Sequence, residues 1–311
     1  MMSATRRGAR TLHLLVSSMS AGGRSVSIGP TVVRILRAGG WSVRVSVTTS
    51  SDDPTTLAAS SGEDVVAALG GDGYIAAVAR GCHESSALFA PLPGGRGNDL
   101  CRALGIGADP LRRARALAPL GFYDEDDEDA LIGRSRMMDG IWVESAAGRR
   151  LVLGIISLGL DATANILANE SWLNHGPLAY GYGAFAALAT YRPDRVEAVV
   201  DGQERDLAGW VTSISNSGCF GGGIRLVPSS NLHDGRIELC HVAPLPLSTV
   251  IPILARIVAG RSAVHPAIEV EQVTTVEVRE PKGLVAMADG DRVASVPFTA
   301  TAAPQIANVL L

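Results

Sequence analysis

The sequence predicts a two-domain protein in which an α/β domain precedes a β-rich domain. In the first third of the chain, apolar strands run directly into glycine-rich turns that open helices, which is the pattern of a parallel α/β sheet. Beyond the six consecutive acidic residues Asp124–Asp129, short strands separated by glycine turns follow one another. The chain has 311 residues, of which 47% are hydrophobic, so it is long enough and apolar enough for two cores.

The first domain is expected to alternate strands and helices. Its strands are apolar runs that end in small residues, and each is followed by a turn. Strands are predicted at Leu12–Ser17, Trp41–Val47, Asp64–Leu69 and Leu88–Leu92. Helices are predicted at Val32–Ala38, Tyr74–Arg80 and Asp99–Leu104, with loops at Ser17–Gly23 and Thr48–Pro54.

The second domain is expected to be mostly strands. The acidic run before it is predicted to be a solvated loop, since a block of like charges cannot be buried. Strands are predicted at Ile141–Glu144, Leu151–Ser157, Arg195–Val200, Trp210–Ser215, Ile237–Val242 and Thr274–Arg279. Two helical insertions are predicted, at Pro177–Thr190 and Leu247–Val258.

Composition restricts the compartment and the partners. The formal net charge of −4 does not favour nucleic acid, and it gives no general attraction to an anionic membrane. The four cysteines form no Cys-x-x-Cys pair, which is typical of a reducing compartment. The run Leu12–Ser17 is too short for the core of a signal peptide, and Val242–Ala259 contains three prolines and an arginine, so it is a poor membrane span. We expect a cytoplasmic protein with no nucleic-acid partner.

A strand that runs into Gly70-Gly71-Asp72-Gly73 and then a helix predicts a phosphate loop. Glycines let the backbone approach phosphate oxygens, and the first turn of the helix offers free N–H groups and the positive end of its dipole. Asp72 repels phosphate, so we expect it to hold the loop, orient a hydroxyl or bind a metal ion. Taken alone, this motif is equally compatible with a plain tight turn.

A second loop, Pro93–Asp99, also follows an apolar strand and also opens a helix. Loops from neighbouring parallel strands meet at the carboxyl edge of the sheet, where open α/β folds bind their ligands. Arg96 is expected to pair with phosphate there, and Asn98 to donate a hydrogen bond to it. Two such loops together predict a phosphate-binding crevice.

At this point the sequence resembles the bacterial diacylglycerol kinase and lipid kinase family, and more distantly the NAD kinases and 6-phosphofructokinases. The family's Gly-Gly-Asp-Gly-Thr and Pro-x-Gly-Thr-x-Asn-Asp motifs match the two loops. Further matches follow in family order and spacing, so that the resemblance covers the chain from about Leu12 to nearly its end. These further segments are Ile156–Ala162, Asn216 with Phe220–Gly223, Asn231–Gly235 and Asp289–Asp291.

The resemblance implies a nucleotide-binding α/β domain at residues 1–133, to which the chain returns at residues 298–311. It implies a β-sandwich domain at residues 134–297 that binds the acceptor. The implied reaction is transfer of a phosphate from ATP, with Mg²⁺, to the hydroxyl of a lipid such as diacylglycerol, with transient contact of the protein with the membrane. A homodimer is left open.

Site residues follow from the matched motifs. The resemblance implies that Asp289 and Asp291 supply the general base and its support. It also implies a structural Mg²⁺ held by Asp234 with the backbone carbonyls of Asn231 and Arg236. The residues implied to bind the nucleotide are Thr48, Gly70, Gly71, Asp72, Gly73, Tyr74, Gly95, Arg96, Asn98 and Asp99.

The sequence departs from the family pattern at several positions. Ser17–Ala21 replaces the family's Asn-Pro-x-Ser-Gly loop, Tyr74 replaces the threonine after Gly-Gly-Asp-Gly, and Ala76-Ala77 replaces an Asn-Glu pair. Arg96 stands for the threonine of the second loop, and Asp291 for a glutamate. Loss of one group that contacts the reacting atoms costs on the order of 10² to 10³ in rate.

Three functions therefore remain open on sequence alone. The first is a lipid kinase. The second is a nucleotide-binding protein of the same family that has lost or changed its kinase activity, and the third is a kinase of a soluble acceptor. Without the resemblance, Asp289-Gly290-Asp291 would be interpreted as a hairpin turn.

Overall fold

The computed structural model describes residues 8–123, 131–170, 186–192, 195–259 and 265–311. Two compact units are present: Met1–Asp139 with Gln305–Leu311, and Gly140–Pro304. The acidic run Asp124–Asp129 lies outside the described residues. So does most of the predicted helix Pro177–Thr190, of which residues 186–190 are described and are helical.

The first unit alternates strands and helices, as the sequence predicts. Its strands are β1 (Gly8–Ala9), β2 (Thr11–Ser17), β3 (Ser42–Thr48), β4 (Val65–Gly70), β5 (Leu88–Pro93) and β6 (Phe122–Tyr123). Its helices are α1 (Arg24–Ala38), α2 (Pro54–Ala59), α3 (Asp72–Ser85), α4 (Asp99–Ala103) and α5 (Pro110–Leu117), with 3-10 turns at Ser20–Gly22, Ala118–Leu120 and Ile132–Arg134.

The main sheet of this unit is parallel, in the order β3-β2-β4-β5. The end of the last strand of the chain adds to it in parallel, with Val309 opposite Phe89. All six residues of β4 are buried, as expected for a central strand covered on both faces. Because these strands are parallel, the segments that follow β2, β3, β4 and β5 meet at one edge.

Two helices of this unit begin earlier than their sequence patterns predict. Helix α1 begins at Arg24 rather than Val32, because Gly23 takes a left-handed conformation with φ of 89° that ends the preceding turn. Pro30 lies inside the helix. Helix α3 begins at Asp72 rather than Tyr74, so half of the first glycine loop belongs to the helix.

The core of the first unit lies between the sheet and its helices. Leu14, Leu69 and Leu92 from three adjacent strands pack with Leu36 of α1 and Leu117 of α5. The buried guanidinium of Arg113 on α5 donates to the carbonyls of Pro91 and Leu310, which ties β5 to the chain's last strand. Burial lowers the pKa of Arg113 to about 10.

The second unit is built mainly of antiparallel strands. Strand β7 (Ser135–Ser145) leads into it, and the last strand, β20 (Phe298–Leu310), leads out of it. Between them lie β8 (Gly148–Val152), β9 (Ile155–Gly159), β10 (Glu197–Val200), β11 (Gln203–Asp206), β12 (Val211–Ser215), β13 (Cys219–Phe220), β14 (Ile224–Arg225), β15 (Ile237–Val242), β16 (Ile268–Val273), β17 (Thr275–Glu280), β18 (Val285–Ala288) and β19 (Asp291–Ser295), together with helices α6 (Leu160–Glu170) and α7 (Leu247–Val258).

Two sheets of the second unit pack face to face. One has the order β16-β15-β12-β9-β18-β19, and the other has the order β11-β10-β17-β20. A single core cluster joins them, with Ile156, Ile214 and Leu239 from the first sheet and Val278 and Phe298 from the second. This is a β-sandwich, so the predicted fold class is confirmed.

One predicted strand of this unit is wrong. Leu151–Ser157 is two strands, β8 and β9, which are separated at Leu153-Gly154. Gly154 lies between the two strands, and a Cβ atom there would be 2.4 Å from Oδ1 of the Asp289 side chain. Gly154 and Asp289 are far apart in the chain, so a local sequence pattern does not reveal that they lie close together.

Among the described residues, no helix combines the length and the apolar character needed to span a bilayer.

Candidate functional site

The two glycine loops of the first unit lie against each other, backbone to backbone. A Cβ atom on Gly95 would lie 2.5 Å from Cα of Gly71, and a Cβ atom on Gly94 would lie 2.9 Å from the backbone nitrogen of Gly70. The N–H of Gly94 donates to the carbonyl of Gly70 at 2.7 Å. The glycines are therefore needed for contact between the loops as well as for any approach of a ligand.

Asp72 joins the first loop to the helix that follows the second loop. Its Oδ1 accepts a hydrogen bond from the N–H of Leu100 at 3.1 Å, and the N–H groups of Asn98 and Asp99 also interact with this carboxylate. Burial raises the pKa of Asp72, and the nearby charge of Asp99 raises it further. Three roles were expected for Asp72: holding the loop, orienting a hydroxyl and binding a metal ion. The hydrogen bonds of its carboxylate show the first of these roles.

Asn98 stabilises the second loop from inside. It is 4% exposed and takes a left-handed conformation with φ of 53°. Its Oδ1 accepts from the N–H of Gly95 at 2.8 Å, and its Nδ2 donates to the carbonyl of Gly95 at 3.0 Å. The direct contact of Asn98 with phosphate stays a prediction, because these bonds already use one donor and one acceptor of the amide.

Arg96 is exposed at the tip of the second loop. Its guanidinium is always charged and carries donors in a planar fork that matches phosphate oxygens. Helix α3 begins beside it, and its first turn supplies the N–H groups and dipole that suit an anion. The arrangement combines an exposed cation with backbone donors, which is suited to a phosphate chain.

Two serines that the sequence analysis did not single out also hold these loops. Ser20 accepts a hydrogen bond from the N–H of Gly71 at 3.0 Å, and Ser25 donates to the carbonyl of Gly94 at 3.2 Å. Ser20 occupies the serine position of the family's Asn-Pro-x-Ser-Gly loop, and this match is the sequence signal that could have identified it. Ser25 had no such signal, because it lies in the part of α1 that the sequence pattern missed.

Thr48 and Tyr74 form a pair at the same edge of the sheet. Thr48 is only 3% exposed, and its Oγ1 lies 3.0 Å from the hydroxyl of Tyr74. The Tyr74 ring lies over Gly70, where a Cβ atom would be 2.4 Å from the ring. Of the two, Thr48 is buried and Tyr74 is partly exposed.

In the second unit, Asp289-Gly290 forms a two-residue hairpin turn between β18 and β19. Both residues have positive φ, 54° and 89°, and Ala288 pairs with Asp291 across the turn. Asp289 is half-buried over the backbone of Gly154, whereas Asp291 is exposed. The hairpin turn is therefore present, and the carboxylate of Asp289 is more buried than the carboxylate of Asp291.

Asn216 supports the backbone beneath Asp289. Its Nδ2 donates to the carbonyl of Leu153 at 2.9 Å, and its backbone N–H donates to the carbonyl of Gly154 at 3.1 Å. Asn216 is fully buried, so the loop under Asp289 is fixed from inside the sandwich.

The predicted metal ligand Asp234 lies in a tight turn. Its Oδ1 accepts from the N–H of Arg236 at 3.0 Å, and its Oδ2 accepts from Nε2 of Gln272 at 3.1 Å. Each oxygen keeps a lone pair, and a carboxylate with backbone carbonyls is the hard oxygen donor set that Mg²⁺ takes. The residues fit Mg²⁺ in their chemistry. Within the described ranges, no three His, Cys, Asp or Glu side chains come together as a metal site.

Glu238 lies next to Asp234 and was missed by the sequence analysis. It is 2% exposed, and Gln272 lies 3.4 Å from its Oε1 while also bonding Asp234. Burial raises its pKa. Its signal in the sequence is a single acid within the apolar strand β15.

Asp161, in the matched segment Ile156–Ala162, is a buried carboxylate of the second unit. Its Oδ2 accepts from the Ser213 hydroxyl at 3.0 Å, and the Ser157 hydroxyl and the N–H of Ala162 also interact with this carboxylate. Burial raises the pKa of Asp161 to about 6.

Comparisons with known proteins agree over nearly the whole chain. Residues 11–120 match the model of the diacylglycerol kinase catalytic domain, and residues 154–311 match that of the YegS C-terminal NAD kinase beta sandwich-like domain. The diacylglycerol kinase of Bacillus subtilis is 26% identical over 74% of this chain and 72% of its own. The "Probable lipid kinase YegS-like" of Pseudomonas putida is 28% identical over 82% and 81%. A crystal structure of a diacylglycerol kinase from Bacillus anthracis superposes with a TM-score of 0.70 at 14% identity and covers 97% of each chain, which supports the fold.

Proposed function

Because the chain belongs to the diacylglycerol kinase and lipid kinase family, we propose that it transfers the γ-phosphate of ATP to a lipid hydroxyl, with diacylglycerol as acceptor and phosphatidic acid as product. The observation that carries this proposal is the pair of glycine loops at one edge of the sheet, locked together by Asp72. Phosphoryl transfer consists mostly of positioning and charge neutralisation, and a rigid cradle of backbone donors supplies both.

The triphosphate is proposed to lie on the first turn of α3, with Arg96 over it. The α3 backbone donors are fixed in place by the capping of α4 and by Ser20, so they need no reorganisation when charge develops. Mg²⁺ supplies charge neutralisation on the phosphates when bound. A structural Mg²⁺ would be held by Asp234 with the carbonyls of Asn231 and Arg236.

The general base is proposed to be Asp289. A base must accept the proton of the acceptor hydroxyl, and Asp289 offers a half-buried carboxylate that lies against Gly154. Its backbone has a positive φ of 54°, a conformation that aspartate tolerates and that a hairpin of this type requires. Asp291, which is exposed on β19, is proposed to support it.

Acceptor choice is tested directly by labelled phosphate transfer. The full chain is incubated with Mg²⁺ and γ-labelled ATP and a panel of diacylglycerol, sphingosine, ceramide, glycerol and a soluble polyol. Label in a lipid phosphate, strongest for diacylglycerol, is the expected result. Label only in soluble phosphates would replace the lipid acceptor, and label in no acceptor despite ATP binding would favour a nucleotide-binding protein without this activity.

A further inference from the structure

Tyr74 spans the ends of three strands of the first unit. It follows β4, its ring rests on Gly70, and its hydroxyl reaches Thr48 at the end of β3. Since β2 lies between β4 and β3 in the sheet, the phenol crosses over the carboxyl end of β2. This is the edge at which open α/β sheets bind their ligands.

The hydroxyls of Tyr74 and Thr48 can be hydrogen-bonded to each other in two ways. Each way leaves Tyr74 one hydrogen-bonding function that Thr48 does not use. Thr48 Oγ1 lies 3.3 Å from the carbonyl of Val16 and 3.0 Å from Tyr74, but it carries one proton. If Thr48 donates to Tyr74, the Tyr74 proton is available to a ligand. If Thr48 donates to Val16, Tyr74 donates to Thr48 and its oxygen is available as an acceptor.

The charge around Tyr74 disfavours a phosphate at this position. Asp52 is close enough for its negative charge to act on the phenol, and its carboxylate is fixed by the N–H of Thr49 at 2.7 Å. Burial raises the pKa of Tyr74 to about 12, so the phenol stays protonated at neutral pH. A neutral group that both donates and accepts, such as a sugar hydroxyl, suits the pair better than a phosphate oxygen.

We propose that Tyr74, positioned by Thr48, contacts a ribose hydroxyl of the nucleotide and makes the enzyme prefer ribonucleotides to their deoxy forms. This inference rests on the proposed nucleotide site of the first unit. The phosphates lie at the start of α3, and the sugar extends from there towards β3. Thr48 then acts through Tyr74 rather than on the nucleotide itself, because Thr48 is buried and its hydroxyl is bonded to the phenol.

The test compares dissociation constants of ATP, 2′-deoxy-ATP and 3′-deoxy-ATP by calorimetry. The wild-type chain is expected to bind ATP about threefold to tenfold more tightly than at least one deoxy form. This ratio corresponds to the net free energy of one hydrogen bond. Tyr74→Phe should weaken ATP and leave that deoxy form unchanged, so the ratio falls towards one. Tyr191→Phe, which removes a hydroxyl bonded to Gly209 in the other unit, should keep the wild-type ratio.

Thr48→Val provides a second variant that keeps the shape of the side chain. It should lower the same ratio, because the phenol loses the partner that orients it. Equal weakening of all three nucleotides by Tyr74→Phe would indicate a purely structural role and overturn the inference, as would a wild-type chain that does not discriminate among them. A folded wild-type chain that binds no nucleotide would contradict the proposed function itself, and the inference with it.

Discussion

The carboxylate of Asp72 accepts a hydrogen bond from the backbone N–H of Leu100, 28 residues later in the chain, at 3.1 Å. The acid of the first glycine loop thus caps the helix that follows the second loop. One interaction connects both loops, which gives this acid a structural role in the glycine-rich edge of the sheet. The N–H groups that the cap satisfies would otherwise be left without an acceptor at the start of α4.

Asp72→Ala should lower the free energy of unfolding by about 1 kcal/mol or more, since it removes a helix cap. Asp72→Asn keeps an oxygen acceptor for Leu100 and removes the repulsion with Asp99, so it should be as stable as the wild type at neutral pH. Urea unfolding of both variants checks this. Equal destabilisation by the two substitutions would contradict the capping role.

Gly95→Ala should disrupt the contact between the loops. Its Cβ atom would lie 2.5 Å from the Gly71 backbone, a clash that should cost about 1–3 kcal/mol of stability and weaken ATP binding by about tenfold or more. Gly133→Ala is the matched control, because a Cβ atom there meets nothing within 4 Å. Thermal unfolding and ATP titration of both variants make the comparison, and equal behaviour would refute the loop-packing argument.

Asp289→Asn should reduce the rate of phosphate transfer by about 10²–10⁴-fold, because general-base catalysis contributes a rate factor of that size. ATP binding should stay intact. Asp289→Gly is a second variant, because glycine accepts the positive φ of the turn without strain, and its thermal unfolding shows whether a loss of transfer is accompanied by a loss of stability. Asp291→Asn should have a smaller effect than Asp289→Asn, because Asp291 is exposed. A larger effect at Asp291 would assign the base to that residue.

Asp161 should make stability depend on pH between about 4 and 6. Burial raises its folded pKa to about 6, above the ordinary value near 4, so the folded state holds a proton that the unfolded state releases. Its contribution to stability is therefore greatest below pH 4 and is lost as the pH rises through 6. Asp161→Asn should resemble the wild type at pH 4 and be more stable than it at pH 7, as measured by thermal unfolding across that range. The opposite trend would show that the charged form is stabilised.

Local patterns predicted much of this fold because the strands of the first unit are apolar and are followed by glycine. The helix α7 was predicted at Leu247–Val258 and is observed there. The start of α1 was missed, because Gly29 and Pro30 disguise its first two turns. The division between β8 and β9 was missed, because a single glycine, Gly154, interrupts an otherwise apolar run there.

The sequence predicted which segments form the candidate site, but it did not predict the contacts between those segments. The motifs located the glycine loops and predicted either a phosphate site or a plain tight turn, whereas the contact between Gly71 and Gly95 was not predicted. The replacement of a threonine by Tyr74 looked like a loss, and the structure shows it bonded to Thr48. Such contacts join residues on different strands, so no spacing rule within the sequence reveals them.

The most direct test of the account follows phosphate from nucleotide to lipid. The purified full chain is incubated with Mg²⁺, ATP carrying ¹⁸O on its γ-phosphate and diacylglycerol vesicles, and the products are analysed by mass spectrometry. We predict phosphatidic acid that carries the heavy oxygens of the transferred phosphoryl group, and its loss in Asp289→Asn. Bound ATP together with unlabelled or absent phosphatidic acid would contradict the assignment as a diacylglycerol kinase.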